Sequence, residues 1–158
     1  MTDDATFDKL VRDHSAAVTT YARAITSDHW IAEEAAHETF IRAWKYLDSF
    51  RGDGSFEGWL LRICRNCVTD LAARRWQEAP FEELPEQPTF NADNLAIEDL
   101  LSTLPLPQRE VITLCGVLGY DYQSASEILD VPVGTIRSRL HRARASLAED
   151  LGGIRRIA

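Results

Sequence analysis

The chain lacks the uninterrupted apolar run, on the order of 18 residues, that a membrane-spanning helix requires. Its first residues, Met1-Thr2-Asp3-Asp4, are acidic, whereas a secretory signal opens with basic residues. It has only three cysteines among 158 residues, and this odd number argues against a disulfide framework and for a reducing compartment. We therefore expect a cytoplasmic protein with no membrane span.

The sequence also lacks the usual signs of catalysis, because it has neither a phosphate-binding glycine loop nor a nucleophile with a plausible base. Cys64 and Cys67 have the spacing of a redox or zinc motif, but both fall on the apolar face of a predicted helix with no second Cys/His pair nearby. Glu34 and His37 match the Glu-x-x-His motif of di-iron bundles, but such a site needs two copies of this motif and two further glutamates, and the sequence has only one copy. We predict core cysteines, no metal, no cofactor and no enzymatic activity.

The formal net charge of −8 argues at first sight against a nucleic-acid partner, because DNA affinity depends largely on cations that neutralise phosphates. The charge is unevenly distributed, however. Residues 77–100 contain seven acidic residues and no basic one, whereas four arginines fall between Arg137 and Arg144. The overall charge therefore conceals a basic helix near the C-terminus.

The distribution of proline divides the chain into two parts. Residues 77–95 contain three prolines, no basic residue and no helical or strand period, which predicts an acidic flexible linker. Apolar residues on either side recur with a helical period, so we predict an all-α protein of two small helical domains, residues 1–76 and 96–158. The predicted helices lie near residues 5–25, 29–47, 59–75, 96–103, 107–117, 122–129 and 132–149.

The last two predicted helices are joined by only Asp130-Val131-Pro132, which predicts a helix-turn-helix. The second one buries a stripe of Ile136, Leu140, Ala143 and Leu147. No acidic residue stands among its other side chains, which are Thr135, Arg137, Ser138, Arg139, His141, Arg142 and Arg144. We expect Ser138, His141 and either Arg137 or Arg142 to face base edges, and the other arginines to face phosphates. The alternative is an ordinary surface helix with solvated arginines.

The predicted helix 59–75 also has two distinct sides. Its apolar side consists of Leu60, Ile63, Cys64, Cys67, Val68 and Leu71, and its other side of Trp59, Arg62, Asn66, Thr69 and Ala73. An exposed aromatic ring beside polar side chains is what capture of an unstacked base requires: a surface for stacking and donors for the base edge.

The predicted helix 29–47 carries acids on its exposed side. Ala36, Phe40, Ala43 and Leu47 cluster on one side, and Glu34, Glu38 and Lys45 cluster opposite. Such a partly acidic face suits docking on a basic surface, and the alternative is a solvated charged face.

Four stretches resemble the extracytoplasmic-function sigma factors, the small two-domain subunits that direct bacterial RNA polymerase to promoters. VPVGTIRSRLHRAR at 131–144 resembles their recognition helix, and LPLPQREV at 104–111 the opening of the same domain. AEEAAHETFIRAW at 32–44 resembles their polymerase-binding helix, and FRGDGSFEGWLLRICRNCVTDLAARR at 50–75 their promoter-melting region. Asp130 stands where a glycine is usual, but Asp tolerates the left-handed backbone that the turn requires.

The resemblance implies a transcription initiation factor that binds core RNA polymerase and promoter DNA, with an anti-sigma protein as regulator. Three residue sets follow by position in the family pattern. The polymerase-binding residues would be Glu33, Glu34, His37 and Glu38. The minus-ten element, melted and read as a single strand, would be bound by Arg51, Phe56, Trp59, Arg62 and Asn66. The duplex minus-thirty-five element would be bound by Thr135, Arg137, Ser138, His141, Arg142 and Arg144. The alternative function is a stand-alone helix-turn-helix repressor.

Overall fold

The structure is a computed structural model that describes residues 3–52, 54–78 and 99–157, with side-chain surroundings for all of these except 78 and 151–157. Every regular element within these residues is helical, which confirms the all-α prediction. The chain divides into two compact units, residues 1–88 and 89–158. None of the described helices combines the length and the apolar character that crossing a bilayer would need.

The helix bounds agree with the predicted ones to within a few residues at most ends. The N-terminal unit contains α1 (Asp4–Ile25), α2 (His29–Lys45), a short 3-10 turn (Leu47–Ser49) and α3 (Phe56–Glu78). The C-terminal unit contains α4 (Leu106–Val111), a π-helical segment (Ile112–Val117), α5 (Tyr122–Leu129) and α6 (Val133–Ile157), after a helical turn at residues 99–102.

The boundary of the predicted linker differs at its N-terminal end. Helix α3 continues to Glu78, so residues 77 and 78, predicted as linker, are helical. The helix continues because no proline occurs before position 80 and the last turn, Arg74-Arg75-Trp76-Gln77-Glu78, holds good helix formers. The rest of the predicted linker, residues 79–95, lies outside the described residues.

Side-chain caps determine where the helices of the N-terminal unit begin. The carboxylate of Asp3 accepts a hydrogen bond from the backbone N–H of Thr6 at 2.8 Å, and that of Asp28 accepts one from Ile31 at 3.1 Å. The hydroxyl of Ser55 accepts one from Gly58 at 2.9 Å. Each cap satisfies a backbone donor that the first helical turn would otherwise leave unpaired.

The buried side of α2 is rotated from the predicted one. The prediction clusters Ala36, Phe40, Ala43 and Leu47 on the side opposite the exposed acids, but of these only Ala43 is fully buried and the others are half-buried. The buried residues of α2 are Ile31, Ala32, Ala35, Thr39 and Ala43.

The physical reason is the size of the side chains at the centre of this unit. The Thr39 hydroxyl donates to the carbonyl oxygen of Ala35 at 2.6 Å, which satisfies its polar group inside the helix and lets the side chain face the core. With Ala35 and Ala43 on either side, α2 presents a small-residue surface against which α1 and α3 pack. The larger Phe40 is displaced to the edge.

The two cysteines of α3 are core residues, as predicted. Cys64 and Cys67 are completely buried, and the Cys64 thiol lies 3.8 Å from the carbonyl oxygen of Val18, to which it donates. Burial raises the pKa of Cys64 to about 12 and also raises the pKa of Cys67, so both thiols stay protonated at neutral pH. In the part of the chain that the structure describes, no cluster of three or more His, Cys, Asp or Glu could hold a metal ion.

The C-terminal unit buries the predicted stripe of its last helix. Ile136, Leu140 and Ala143 are at most 1% exposed, and Leu147 is half-buried. These side chains pack with a core from the preceding helices that consists of Val111, Leu114, Ala125, Ile128 and Leu129.

The turn between α5 and α6 depends on one left-handed residue. Asp130 has φ 55° and ψ 49°, and its backbone N–H donates to the carbonyl oxygen of Ser126 at the end of α5. The prediction that Asp adopts this conformation is confirmed. The left-handed residue stops α5 and lets α6 begin three residues later at Val133.

We therefore predict that Asp130→Gly maintains or slightly raises stability, whereas Asp130→Val loses about 1–2 kcal/mol of unfolding free energy, because a β-branched residue is strained at positive φ. Urea unfolding of the full chain, followed by circular dichroism, measures both. Equal stability of the Val and Gly variants would contradict the assignment of the turn.

Candidate functional site

The first candidate surface is the recognition face, which we define as the exposed side of the first turns of α6. Arg137, Ser138, His141, Arg142 and Arg144 are all exposed, on the side away from the buried stripe. Thr135 is half-buried, and its carbonyl oxygen accepts a hydrogen bond from the Ser138 hydroxyl at 3.3 Å. Residues 131–148 include no acid, so this face combines a high density of positive charge with short polar side chains.

Helix α5 positions one arginine of the recognition face. The guanidinium of Arg137 lies over the ring of Tyr122, 5.9 Å from its centroid, which is a cation–π geometry. The start of α5 is itself fixed by Asp121, whose carboxylate accepts from the backbone N–H of Ser124 at 2.7 Å. Hydrogen bonds with Ser124 hold the pKa of Asp121 below its usual value, so the cap stays charged near neutral pH. The role of Tyr122 was not predicted, because the contact joins two helices.

The second candidate surface is the exposed side of α3. Arg62, Asn66, Thr69 and Ala73 are exposed, as predicted. Trp59 is not the freely exposed ring that the sequence predicted, because it is half-buried.

Trp59 packs into an aromatic cluster with Phe50 and Phe56. Ring centroids are 5.4 Å apart for Phe50 and Trp59, 5.5 Å for Phe56 and Trp59, and 5.4 Å for Phe50 and Phe56. Rings at these separations gain more from one another than from water. Because Phe50 precedes the loop 51–55 and Phe56 follows it, the cluster holds the two ends of the loop together.

The loop itself has a backbone that favours glycine. Gly52 and Gly54 have φ of 80° and 85°, values at which side chains are strained. Arg51 is exposed at the start of the loop, and Phe56 is half-buried at its end. His14 on α1 stabilises this end, because its Nδ1 lies 2.9 Å from a carboxylate oxygen of Glu57 and its ring packs against Phe56 at 5.5 Å.

The third candidate surface is the outer side of α2. Glu33, Glu34 and His37 are exposed, and Glu38 is half-buried. Glu33 pairs with Arg23 at 2.8 Å, and Glu38 pairs at 3.3 Å with Arg42. These ion pairs compensate part of the acidity that the sequence predicted for this side.

An apolar groove between α1 and α2 adjoins these acidic residues. Its volume is about 560 Å³, and it is lined by Asp4, Phe7, Asp8, Val11, His37, Phe40, Ile41 and Trp44. Trp44 meets Phe7 edge to face, with ring centroids 4.8 Å apart, yet remains 46% exposed, and Ile41 is 50% exposed. The groove was not predicted, because the helical pattern groups Phe40 with Ala43 on one side of α2 without showing which residues of that side remain exposed. The sequence does contain a signal for the groove, because α2 has more large apolar residues than one side of a helix can bury.

Comparisons with known proteins match both units. The model of sigma-70 region 2 matches residues 10–78, and that of sigma-70 region 4 matches residues 94–147. The chain is 33% identical over 134 residues to the ECF RNA polymerase sigma-E factor of Escherichia coli, covering 72% of this chain and 70% of that protein. It is 31% identical over 158 residues to the ECF RNA polymerase sigma factor SigE of Mycolicibacterium smegmatis, covering 92% of this chain but only 61% of that protein.

Solved structures give the same picture. The sigma factor RpoE from Bartonella quintana, solved in complex with the anti-sigma factor NepR, is similar with a TM-score of 0.79 and 30% identity, covering 92% of this chain and 96% of that one. CnrH, solved in complex with the cytosolic domain of CnrY, is similar with a TM-score of 0.75 and 28% identity, covering 96% and 90%. With a region 2 unit and a region 4 unit in order, this chain belongs to the extracytoplasmic-function family of RNA polymerase sigma factors.

Proposed function

We propose that this chain binds core RNA polymerase and directs it to specific promoters, with the N-terminal unit opening the minus-ten element and the C-terminal unit binding the minus-thirty-five element. The observation that carries this proposal is the pairing of an acid-free recognition face on α6 with a second polar surface and an apolar groove on the N-terminal unit. A repressor needs only the first of these. The polymerase supplies the chemistry, and this chain selects where it begins.

On the recognition face, we assign direct base contacts to Arg137, Ser138 and His141. Arg137 is held by Tyr122 and therefore loses less side-chain entropy on binding than a free arginine would. Arg142 and Arg144 are exposed on either side and are assigned to phosphates. Thr135 is half-buried and supports Ser138 through its backbone carbonyl.

On the N-terminal unit, we assign binding of the unpaired minus-ten strand to Arg51, Arg62 and Asn66. The donors of Asn66 suit a base edge, and the two arginines suit phosphates. Phe56 and Trp59 act mainly through the aromatic cluster, which shapes the loop beside the base, rather than as free stacking rings. The sequence suggests that Trp59 is an exposed ring for stacking, whereas its half-buried position favours this supporting role.

For polymerase binding, we assign Glu33, Glu34, His37 and Glu38 together with the groove residues Ile41 and Trp44. Large apolar side chains surrounded by charged ones are typical of interface centres, where truncation costs most. The similar RpoE and CnrH structures hold these proteins with NepR and CnrY, so we also propose an anti-sigma protein as the regulator of this chain.

Run-off transcription tests the function as a whole. Adding the purified chain to core polymerase freed of sigma is expected to produce initiation at discrete promoters, which can be selected from genomic DNA by the same holoenzyme. Core polymerase alone is the control. Inhibition without new start sites would instead establish the repressor.

The recognition face yields a prediction with a matched control. Arg137→Ala is expected to weaken holoenzyme binding to the minus-thirty-five duplex by about 5- to 150-fold, the range of one good bidentate base contact, with little loss on a scrambled duplex. Arg144→Ala is expected to weaken binding to both duplexes alike. It is also expected to reduce the slope of log affinity against log salt concentration by about one, which corresponds to one phosphate contact. Electrophoretic mobility shifts over a range of salt measure both. Equal losses on both duplexes for Arg137→Ala would contradict its assignment to a base.

The groove yields a prediction for polymerase binding. Trp44→Ala and Glu34→Lys are each expected to weaken binding to core polymerase at least about fivefold, because one removes an apolar anchor and the other reverses a charge. Asp13→Lys, an equal charge reversal at an exposed position of α1, is the control and is expected to leave binding unchanged. Fluorescence anisotropy of labelled chain titrated with core polymerase measures all three, with circular dichroism to verify folding. Equal weakening by the control would show a general charge effect instead of a site.

A further inference from the structure

An ion pair between α2 and α3 lies next to the surface that we assign to the minus-ten strand. The guanidinium of Arg42 on α2 is 3.1 Å from a carboxylate oxygen of Asp70 on α3. The side chain of Asp70 remains 50% exposed, whereas that of Arg42 is only 26% exposed. The acid is therefore the member of the pair that is more accessible to a ligand on α3.

Asp70 continues a row of exposed side chains along α3, in the order Arg62, Asn66 and Asp70. Successive members are four residues apart, so each lies about 6 Å farther along the axis and only about 40° farther around it. Residues at this spacing are neighbours on a helix, with about 5–6 Å between their Cβ atoms. A strand that is held by Arg62 and Asn66 therefore lies close to the Asp70 carboxylate.

A carboxylate at this position opposes DNA binding unless a cation compensates it. DNA carries one negative charge per nucleotide, and charges repel one another within a Debye length of about 10 Å at 0.1 M salt. Because Asp70 is one helical turn from Asn66, its carboxylate lies within this distance of a strand bound there. Without Arg42, α3 would present an uncompensated negative charge beside the strand.

Arg42 supplies this compensation from a fixed position. Its guanidinium also lies 3.3 Å from the carboxylate of Glu38, one turn earlier on α2, so acids on two helices hold it in place. A guanidinium suits such a bridge, because it is planar, always charged and able to donate to two carboxylates at once. The positive charge is therefore held beside Asp70 before DNA arrives.

We propose that Arg42 is a positioning residue for minus-ten binding, which acts by neutralising Asp70 beside the strand bound at Arg62 and Asn66. This inference rests on the proposed function, because that function assigns the strand to this surface. Arg42 makes no base or phosphate contact in this role and acts only through Asp70. A purely structural tie between α2 and α3 would use the same ion pair, but it predicts a different pattern among variants.

Three variants separate compensation from a structural tie, because all three lack the ion pair but only Arg42→Ala leaves the Asp70 carboxylate uncompensated. Arg42→Ala is expected to weaken holoenzyme binding to a partly melted fork of a selected promoter by about 2- to 5-fold, the range of an exposed charge interaction. Asp70→Asn is expected to bind the fork at least as tightly as wild type does. The double variant is expected to recover the affinity that Arg42→Ala loses.

Fluorescence anisotropy of a labelled fork, titrated with assembled holoenzyme, measures each affinity. Because Arg42 also contacts Glu38, which we assign to polymerase binding, each variant is first titrated with core polymerase so that the holoenzyme is fully formed. The deficit of Arg42→Ala is expected to shrink as salt rises from about 0.05 to 0.5 M, because the Debye length falls.

Lys9→Ala is the matched control, because it removes the same formal charge as Arg42→Ala. Lys9 is exposed on α1, half a turn around that helix from the buried Val18. This substitution is expected to leave fork binding unchanged.

The outcomes separate this inference from the proposed function. If the wild-type chain does not initiate transcription with core polymerase, the proposed function fails and this inference fails with it. If the wild-type chain initiates, equal losses for all three variants would establish a structural tie and overturn the role of Arg42. Unchanged fork binding by Arg42→Ala, a loss that the double variant does not recover, or an equal loss by Lys9→Ala would also overturn it.

Discussion

The N-terminal unit depends on the small-residue side of α2, where Ala35, Thr39 and Ala43 are completely buried. Thr39 is tolerated there because its hydroxyl is satisfied by the carbonyl oxygen of Ala35, one turn earlier in the same helix. Small side chains at this position let α1 and α3 approach α2 closely, and both cysteines of α3 are buried in the same core. Three large apolar residues of α2, Phe40, Ile41 and Trp44, lie at its outer edge instead, where they line the groove proposed to bind polymerase.

Most helices could be predicted from the sequence, because apolar spacing and capping residues are local signals. The stripe of Ile136, Leu140 and Ala143 is buried as its period predicts, and Asp130 takes the left-handed conformation that its side chain tolerates. Helix ends were less predictable. Helix α3 reaches Glu78 because no proline occurs before position 80, whereas the predicted linker boundary rests on charge and proline content, which do not specify where a helix stops.

The wrong predictions share one physical cause, which is that a helical wheel contains no information about neighbouring helices. The wheel groups Phe40 with Ala43 on the side opposite the acids, but the fully buried neighbour of Ala43 is Thr39. The helical pattern places Trp59 outside because it lies opposite the apolar stripe, but Phe50 before the loop and Phe56 at the start of α3 pack against its ring. The contact of Tyr122 with Arg137 also joins two helices, so the sequence alone does not show that these two side chains meet.

The charge distribution explains how an acidic chain can bind DNA selectively. Non-specific affinity increases with the number of phosphates that cations neutralise, and the recognition face offers only a few arginines in a chain of net charge −8. Neither unit is therefore expected to bind random DNA tightly by itself. Under the proposed function, polymerase holds both units on one promoter, so that the second contact forms at a high effective concentration. Weak individual surfaces are then an advantage, because only a site that matches both elements retains the complex.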